Sequence, residues 1–349
     1  MSGEGMWSDR EVIEFSYCVS ALRKYRETCA EKMHALERRK IRTEAQIERM
    51  KQCVSDNSEL FEQMAEDAPA SFGGVSFNVP FIDSKIDVVD LGNLNGALKS
   101  AAREWTALGS EERTQTYGPI IKKVMKFCNQ GDKVLVPGAG LCRLALELAQ
   151  CGYIVNANES AFVMLILAFV ALKGDKEFVI HPYLHQMSGL DSVESSLTSA
   201  KFPDFDCCVL CAMEGKKKCC HMDPVGMMHE NRLLMEAGDF EELAEESSEM
   251  YDAVVTSYFI DVVRDARKTI REIYQVLLPG GYWINFGPIL LHHEGDDFFS
   301  PLTQEDVTNA TISAGFQILE DEEIETSYSQ NKESHMRTVY RCRLTVARK

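Results

Sequence analysis

Two glycines and one glutamate form the most informative group of chemically useful residues in the chain. Gly138 and Gly140 make a Gly-x-Gly turn after the apolar run 134–136, and leucines at helical spacing follow. Glu159 ends a second apolar run about twenty positions later, where a carboxylate can accept hydrogen bonds from both hydroxyls of a ribose. The pattern predicts a strand–turn–helix–strand unit with a nucleotide-type site. An ordinary tight turn in an α/β domain is the alternative.

The turn lacks the third glycine of a dinucleotide fingerprint. Cys142 and Arg143 stand where small residues would help a pyrophosphate reach the start of the helix. A ligand with ribose and adenine but no phosphates fits this turn better. S-adenosylmethionine is therefore the predicted cofactor.

The elements after this unit alternate between strand and helix patterns. Strands are predicted at 233–240, 251–261 and 282–288, helices at 241–249 and 266–278, and a final strand pair at 316–320 and 338–346. Such alternation predicts an α/β fold with a mostly parallel sheet and helices on both faces. Ligands bind beyond the carboxyl ends of such strands, where Asp239, Phe240 and Ser257 to Asp261 stand. Polar groups converging on one edge favour an enzyme over a structural domain.

Charge and composition narrow the partners. The net charge of −17 argues against non-specific binding to nucleic acid or to an anionic membrane. The most apolar run, 161–172, is too short to cross a bilayer and predicts a buried helix. The 12 scattered cysteines and the absence of a signal peptide predict reduced thiols and a cytoplasmic, or also nuclear, location.

The chain is expected to have two regions. Residues 1–94 form an N-terminal helical region with a connector, in which one helical pattern runs from 8 to about 64, through the charged tract 37–44. Residues 95–349 form the α/β domain, with an irregular insert at about 188–226. The N-terminal helices could pack on their own sheet or on a second subunit, so both a monomer and a homodimer stay open.

The insert holds a cluster of potential metal ligands. Its members are Cys207, Cys208, Cys211, Cys219, Cys220 and His221. Zinc could bind such a set, but the spacing matches no standard zinc module. Reduced loop cysteines are the favoured interpretation, and no metal is predicted.

Five stretches of the α/β domain together resemble one enzyme family, the carnosine N-methyltransferases. The stretches are Val-Pro-Gly-Ala-Gly-Leu from Val136, Asn158-Glu159, Gly238-Asp239-Phe240, Phe259-Ile260-Asp261 and Leu-Pro-Gly-Gly-Tyr-Trp-Ile-Asn-Phe-Gly-Pro ending at Pro288. The match runs from about residue 98 to the C-terminus, with an interruption at the cysteine-rich segment. The resemblance implies a class I methyltransferase fold of Rossmann-like type that uses S-adenosylmethionine to convert the dipeptide carnosine into anserine.

The resemblance also implies roles for individual residues. The cofactor site would consist of Arg103, Gly138, Gly140, Glu159, Asp239, Phe240 and Ser257. Glu159 would hold the ribose, Asp239 and Phe240 would meet the adenine, and Arg103 would pair with the methionine carboxylate. The substrate side would use Asp261, His292 and Tyr340 as binding and catalytic residues.

Four positions depart from the family pattern. The family usually has glutamine at Ser100, glycine at Cys142, cysteine at Ser257 and a second C-terminal tyrosine at Thr338. Serine at position 100 removes one amide contact to the cofactor. Threonine at position 338 bears on how the substrate is held, and hence on how well carnosine itself is used.

The chemistry predicts a specific task for Asp261. A neutral imidazole has one donor and one acceptor nitrogen. A carboxylate that accepts from the far N–H leaves the lone pair of the near nitrogen facing the methyl group, and it stabilises the imidazolium that forms. His292 could hydrogen-bond the substrate or orient Asp261, or it is an ordinary loop histidine. Tyr340 is a site residue by resemblance, whereas its spacing alone indicates packing.

Three functions remain open from the sequence. The first is methylation of the imidazole of carnosine. The second is methylation of histidine-containing peptides or of protein side chains, for which the insert would be a docking surface. The third is a scaffold that keeps the fold but not the activity.

Overall fold

The computed structural model describes residues 8–71, 88–204, 227–228, 232–290 and 302–349. Within them the chain forms two compact units. The first takes its described residues from Met1–Ser110, Phe162–Gly226 and Ser329–Arg337. The second takes them from Glu111–Ala161, Met227–Tyr328 and Thr338–Lys349. The predicted domain boundary between residues 94 and 95 stays a prediction.

The first unit is mainly helical. Its helices are α1 (Asp9–Arg38), α2 (Glu44–Ser71), α3 (Val88–Trp105), a 3₁₀ turn (Ala107–Gly109), α6 (Phe162–Lys173) and α7 (Val193–Ser196). Ser8 and Glu11 cap the start of α1 reciprocally. Tyr25 of α1 packs edge-on against Phe61 of α2, with ring centroids 4.7 Å apart, and both rings are buried. Helix α6 is buried as predicted, since Leu165 to Leu172 are all shielded from solvent.

The prediction of one continuous helix through residues 37–44 is wrong. Helix α1 ends at Arg38, Lys40 has a positive φ of 51°, and α2 begins at Glu44. Thr43 causes the restart: its hydroxyl accepts from the backbone N–H of Gln46, and the Gln46 side chain accepts from the N–H of Thr43. This Thr-x-x-Gln capping box is a local sequence signal for the start of a helix.

The prediction of an irregular insert is wrong for its first part. Strand β4 (Ala200–Phe202) pairs antiparallel with β3 (Phe178–Ile180), and helix α7 precedes it. Ser192 caps α7 by accepting from the N–H of Ser195, and Phe202 is fully buried. The cysteine and histidine cluster of the insert, from Cys207 to His221, lies outside the described residues.

The second unit is built on a mostly parallel sheet. Its strands are β1 (Lys133–Pro137), β2 (Ile154–Glu159), β5 (Met227–Met228), β6 (Leu233–Ala237), β7 (Tyr251–Ser257), β8 (Leu277–Gly287), β9 (Gln317–Ser327) and β10 (Val339–Arg348). Their order across the sheet is β5-β6-β2-β1-β7-β8-β10-β9. The five strands from β6 to β8 run parallel, whereas β5, β10 and β9 pair antiparallel with their neighbours. The predicted alternation and the final strand pair are confirmed.

Helices of this unit cover the sheet and form its core. They are α4 (Ser110–Phe127), α5 (Arg143–Gln150), α8 (Phe240–Glu246), α9 (Ala266–Val276) and α10 (Gln304–Ser313). Ile270 and Ile273 of α9 pack with Val254 of β7 and Trp283 of β8 in one buried cluster. Buried apolar area of this kind contributes roughly 25 cal/mol per Å² to folding. This packing holds α9 against β7 and β8 and so stabilises the sheet at whose edge the parallel strands end.

Two general properties follow from the described residues. No helix among them combines the length and the apolar character that a membrane span requires. The cysteines that they include are free thiols: Cys18, Cys29, Cys53, Cys128, Cys142, Cys151 and Cys342.

Candidate active site

The turn after β1 has a backbone that favours glycine. Gly138 and Gly140 have φ values of 62° and 56°, and Cys142, which begins α5, has a φ of 60°. A Cβ atom at Gly138 would stand 2.5 Å from the ring of Phe259. Glycine at 138 is therefore required twice, by its left-handed backbone and by the approach of Phe259. The same conformation explains why glycine suits position 142, where this chain has cysteine.

Glu159 closes over this turn from the end of β2. One carboxylate oxygen accepts from the N–H of Gly140 at 2.8 Å, and the other accepts from those of Ser160 and Ala161 at 3.0 and 2.9 Å. Burial raises the pKa of Glu159, and these three backbone donors oppose the rise. A carboxylate has about four acceptor sites, and the three backbone donors leave one of them, on the oxygen that accepts from Gly140. The arrangement can thus accept a hydrogen bond from a ribose hydroxyl, so the residues present fit an adenosyl ligand.

The end of β6 is tied to the end of β2. The N–H of Gly238 donates to the carbonyl of Glu159 at 3.1 Å, and the amide of Asn158 donates to the carbonyl of Gly238 at 3.0 Å. Asp239 then caps α8 by accepting from the N–H of Glu241 at 3.2 Å, and its side chain is exposed. The Asp239 carboxylate is consequently held next to the Glu159 strand end.

Two phenylalanines link the strand ends. Phe240 is buried and packs edge-on against Phe259, with centroids 5.8 Å apart. Phe259 also covers Gly138. The sequence did not predict Phe259 as a lining residue, because the position of an apolar residue in a loop does not indicate which glycine it contacts.

Asp261 follows Phe259 in the loop after β7 and is only 3% exposed. Its charge contributes, after burial, to raising the pKa values of Tyr340 and Cys342 on β10. The buried carboxylate therefore lies within electrostatic range of Tyr340. Ser257, four residues earlier, is half-buried at the end of β7.

A cluster of tyrosines surrounds Tyr340. The Tyr340 centroid lies 5.1 Å from that of Tyr328 and 6.5 Å from that of Tyr258. Tyr328 stands beside the Thr338 position, since its N–H donates to the Thr338 carbonyl at 3.1 Å. Neither Tyr258 nor Tyr328 was predicted as a site residue. Tyr258 lies three residues before Asp261, in the same predicted strand-end stretch, whereas only the pairing of β9 with β10 brings Tyr328 here.

Two predicted site residues, Arg103 and His292, are not among the described residues of the second unit. Arg103 lies in the last turn of α3 in the first unit, where its guanidinium donates to Glu104 at 3.4 Å. His292 lies outside the described residues. The roles of both stay predictions.

The parallel sheet and the features at its carboxyl edge define a class I methyltransferase fold. Gly138, Glu159, Asp239, Ser257 and Asp261 all follow or end parallel neighbours in the order β6-β2-β1-β7. The prediction that these residues fall at one edge is confirmed.

Comparisons with known proteins identify the family within that class. The family model described as Carnosine N-methyltransferase matches residues 82–349. The rat protein named carnosine N-methyltransferase (Rattus norvegicus) is 31% identical over 318 residues, which are 87% of this chain and 75% of the rat protein. The Drosophila melanogaster protein "Carnosine N-methyltransferase unmet" is 32% identical over 285 residues, 78% of this chain and 58% of its own length. The chain belongs to the carnosine N-methyltransferase family.

Solved structures were also compared with the chain. A SAM-dependent methyltransferase of Methanosarcina mazei covers 65% of this chain and 96% of its own, with 14% identity and a TM-score of 0.40.

Proposed function

We propose that this protein transfers the methyl group of S-adenosylmethionine to an imidazole nitrogen of carnosine, giving anserine and S-adenosylhomocysteine. Membership of the carnosine N-methyltransferase family supports the activity. The observation that carries the assignment of the site is the buried Asp261 carboxylate, within electrostatic range of Tyr340 and at the strand edge that also holds Glu159. A small dipeptide is thus the proposed substrate.

The cofactor supplies a methyl group already activated on a sulfonium. Glu159 would accept from the ribose hydroxyls, while the glycine turn allows close approach of the backbone. Asp239 would meet the edge of the adenine and Phe240 its face, with Ser257 lining the site. Arg103 would pair with the methionine carboxylate, for which a guanidinium fork is well suited.

The substrate step needs orientation more than acid–base power. Asp261 would accept from the far imidazole N–H and aim the lone pair of the near nitrogen at the methyl carbon. The methyl carbon would bond to nitrogen as its bond to sulfur breaks, with the electron pair left on sulfur. Asp261 would accept the far N–H proton and release it to water. Tyr340 would pack against the imidazole, and His292 would bind the dipeptide or orient Asp261.

The test is transfer of a labelled methyl group to a set of acceptors. Carnosine, homocarnosine, free histidine and a protein extract are each incubated with labelled S-adenosylmethionine. The proposal predicts that carnosine is the preferred acceptor and that the product has the mass and retention of anserine. Labelling of protein histidines with no labelling of carnosine would replace the proposal with the peptide or protein alternative. Transfer to no acceptor would favour a scaffold.

A homodimer and a cytoplasmic, or also nuclear, location belong to the same proposal. Ile13 and Tyr17, one turn apart on α1, are 52% and 46% exposed, and such apolar side chains suit a contact with a second subunit. Sedimentation of the purified protein at micromolar concentration tests the dimer. A monomer mass at that concentration would count against it.

A further inference from the structure

Tyr258 has an unusual backbone at the end of β7. Its φ of 52° is left-handed, a conformation that bulky residues rarely adopt. Its N–H donates to the carbonyl of Phe286 on β8 at 2.8 Å. Non-glycine residues persist in such a conformation where their surroundings hold them, often at functional sites.

The Tyr258 hydroxyl is held by two other strands. It lies 2.9 Å from the hydroxyl of Thr326 on β9, and it accepts from the thiol of Cys342 on β10 at 3.7 Å. Thr326 and Cys342 are 1% and 0% exposed. Burial raises the pKa of Tyr258 well above its ordinary value, so the hydroxyl stays protonated. The anchor is therefore a neutral, partly buried hydrogen bond.

The Tyr258 ring faces the substrate side of the cluster. Its centroid lies 5.0 Å from that of Tyr328 and 6.5 Å from that of Tyr340. Asp261 comes three residues later along the chain. Tyr258 thus connects the chain that carries Asp261 with the strands that carry Tyr340.

We propose that Tyr258 is a positioning residue, whose hydroxyl anchors the turn after β7 to Thr326 and thereby fixes the distance between Asp261 and Tyr340. The inference rests on the proposed function, because it concerns how these two residues hold the imidazole. Tyr258 acts through Asp261, and its hydroxyl points away into the buried contact with β9. Loss of the anchor leaves the ring in place but lets the turn shift.

Two substitutions remove the same hydrogen bond from opposite sides. Tyr258→Phe deletes the phenol oxygen, and Thr326→Val deletes the hydroxyl that meets it. Each should lower kcat on carnosine about tenfold, the scale of a small misplacement of a reacting group. Affinity for S-adenosylhomocysteine should stay within about twofold, because the Glu159 turn is untouched. The double variant should be no worse than Tyr258→Phe alone, since the phenol oxygen that meets Thr326 is already absent there.

Tyr251→Phe is the matched control. Tyr251 is a buried tyrosine at the other end of β7, and its hydroxyl accepts from Asn156 at 2.9 Å. This variant loses a comparable hydrogen bond and should keep the wild-type kcat. A general structural role for buried tyrosine hydroxyls would lower kcat in both variants to the same extent.

The wild-type rate on carnosine separates failure of the proposed function from failure of the positioning role of Tyr258. Absence of wild-type turnover on carnosine overturns the proposed function. An active wild type with unchanged kcat in Tyr258→Phe, or with multiplicative losses in the double variant, overturns the positioning role. If Tyr258→Phe does not fold, Thr326→Val tests the same hydrogen bond with Tyr258 unchanged. An unchanged kcat in Thr326→Val overturns the positioning role of Tyr258, and a loss of about tenfold supports it.

Discussion

The two ends of strand β7 carry the same residue type in different surroundings. Tyr251 at the amino end lies within the strand, packs in the core beside α9, and bonds to Asn156. Tyr258 at the carboxyl end has a left-handed backbone and bonds to Thr326 in a cluster with Tyr328 and Tyr340. The Tyr251 hydroxyl therefore contributes to the stability of the fold at the amino edge of the sheet. The Tyr258 hydroxyl lies at the carboxyl edge, together with a strained backbone and converging polar groups.

Asp261→Ala, at the carboxyl edge of the sheet, should have the largest effect on activity. Without the carboxylate the imidazole loses its orienting acceptor, so kcat on carnosine should fall by at least about a hundredfold. Binding of S-adenosylhomocysteine, measured by calorimetry, should persist because the Glu159 turn is intact. Near-normal turnover in this variant would remove Asp261 from the substrate site.

Glu159→Gln should have the next largest effect, on the cofactor. Charged acceptors contribute about 1.5–3 kcal/mol per hydrogen bond, so affinity for S-adenosylhomocysteine should fall about tenfold or more. Burial raises the pKa of Glu159 in the free protein, and ribose donors favour the charged form. Affinity in the wild type should therefore be full above that raised pKa and decrease as the pH falls through it. Calorimetric titrations across pH 4–8 should show this decrease in the wild type and a weaker one in the Gln variant.

Gly138→Ala should combine a loss of stability with a loss of cofactor binding. The new Cβ would require a left-handed alanine and would meet Phe259 at 2.5 Å. The cost to the free energy of unfolding should be about 1–3 kcal/mol, measured by urea denaturation. Gly131→Ala is the control, since Gly131 also has a positive φ, of 89°, but has open space around it. Equal losses in the two variants would mean that contact with Phe259 is unimportant.

Tyr251→Phe should have the smallest effect on activity. The loss of one buried hydrogen bond should lower the free energy of unfolding by about 1 kcal/mol, as measured by urea denaturation. The kcat/KM on carnosine should not change, because the amino edge holds no site residue. A tenfold loss of kcat/KM in Tyr251→Phe would mean that the tyrosine hydroxyls at both ends of β7 affect catalysis.

The sheet was predictable because its signals are local. Short apolar runs, glycine turns and helical periodicity recur in order along β1, β2, β6, β7 and β8, and parallel strands place their carboxyl ends together. Glu159 and Asp261 could therefore be assigned to one edge from sequence alone. The α1–α2 break was missed although Thr43 and Gln46 signal it locally.

The tyrosine cluster could not be predicted, because it depends on pairing between distant segments. Tyr328 reaches Tyr340 through the antiparallel register of β9 and β10, and Tyr258 reaches Thr326 from another strand. Hydrophobic periodicity indicates that a strand exists but not which side chains meet across it. The contact between Gly138 and Phe259 is long-range in the same sense.

A crystal structure with S-adenosylhomocysteine and carnosine bound is the decisive test of the proposed site. We predict that the ribose hydroxyls lie on Glu159 and that the imidazole of carnosine has one nitrogen on Asp261 and the other facing the cofactor sulfur. Carnosine bound away from Asp261, or an adenosyl group away from Gly138 and Glu159, would contradict it.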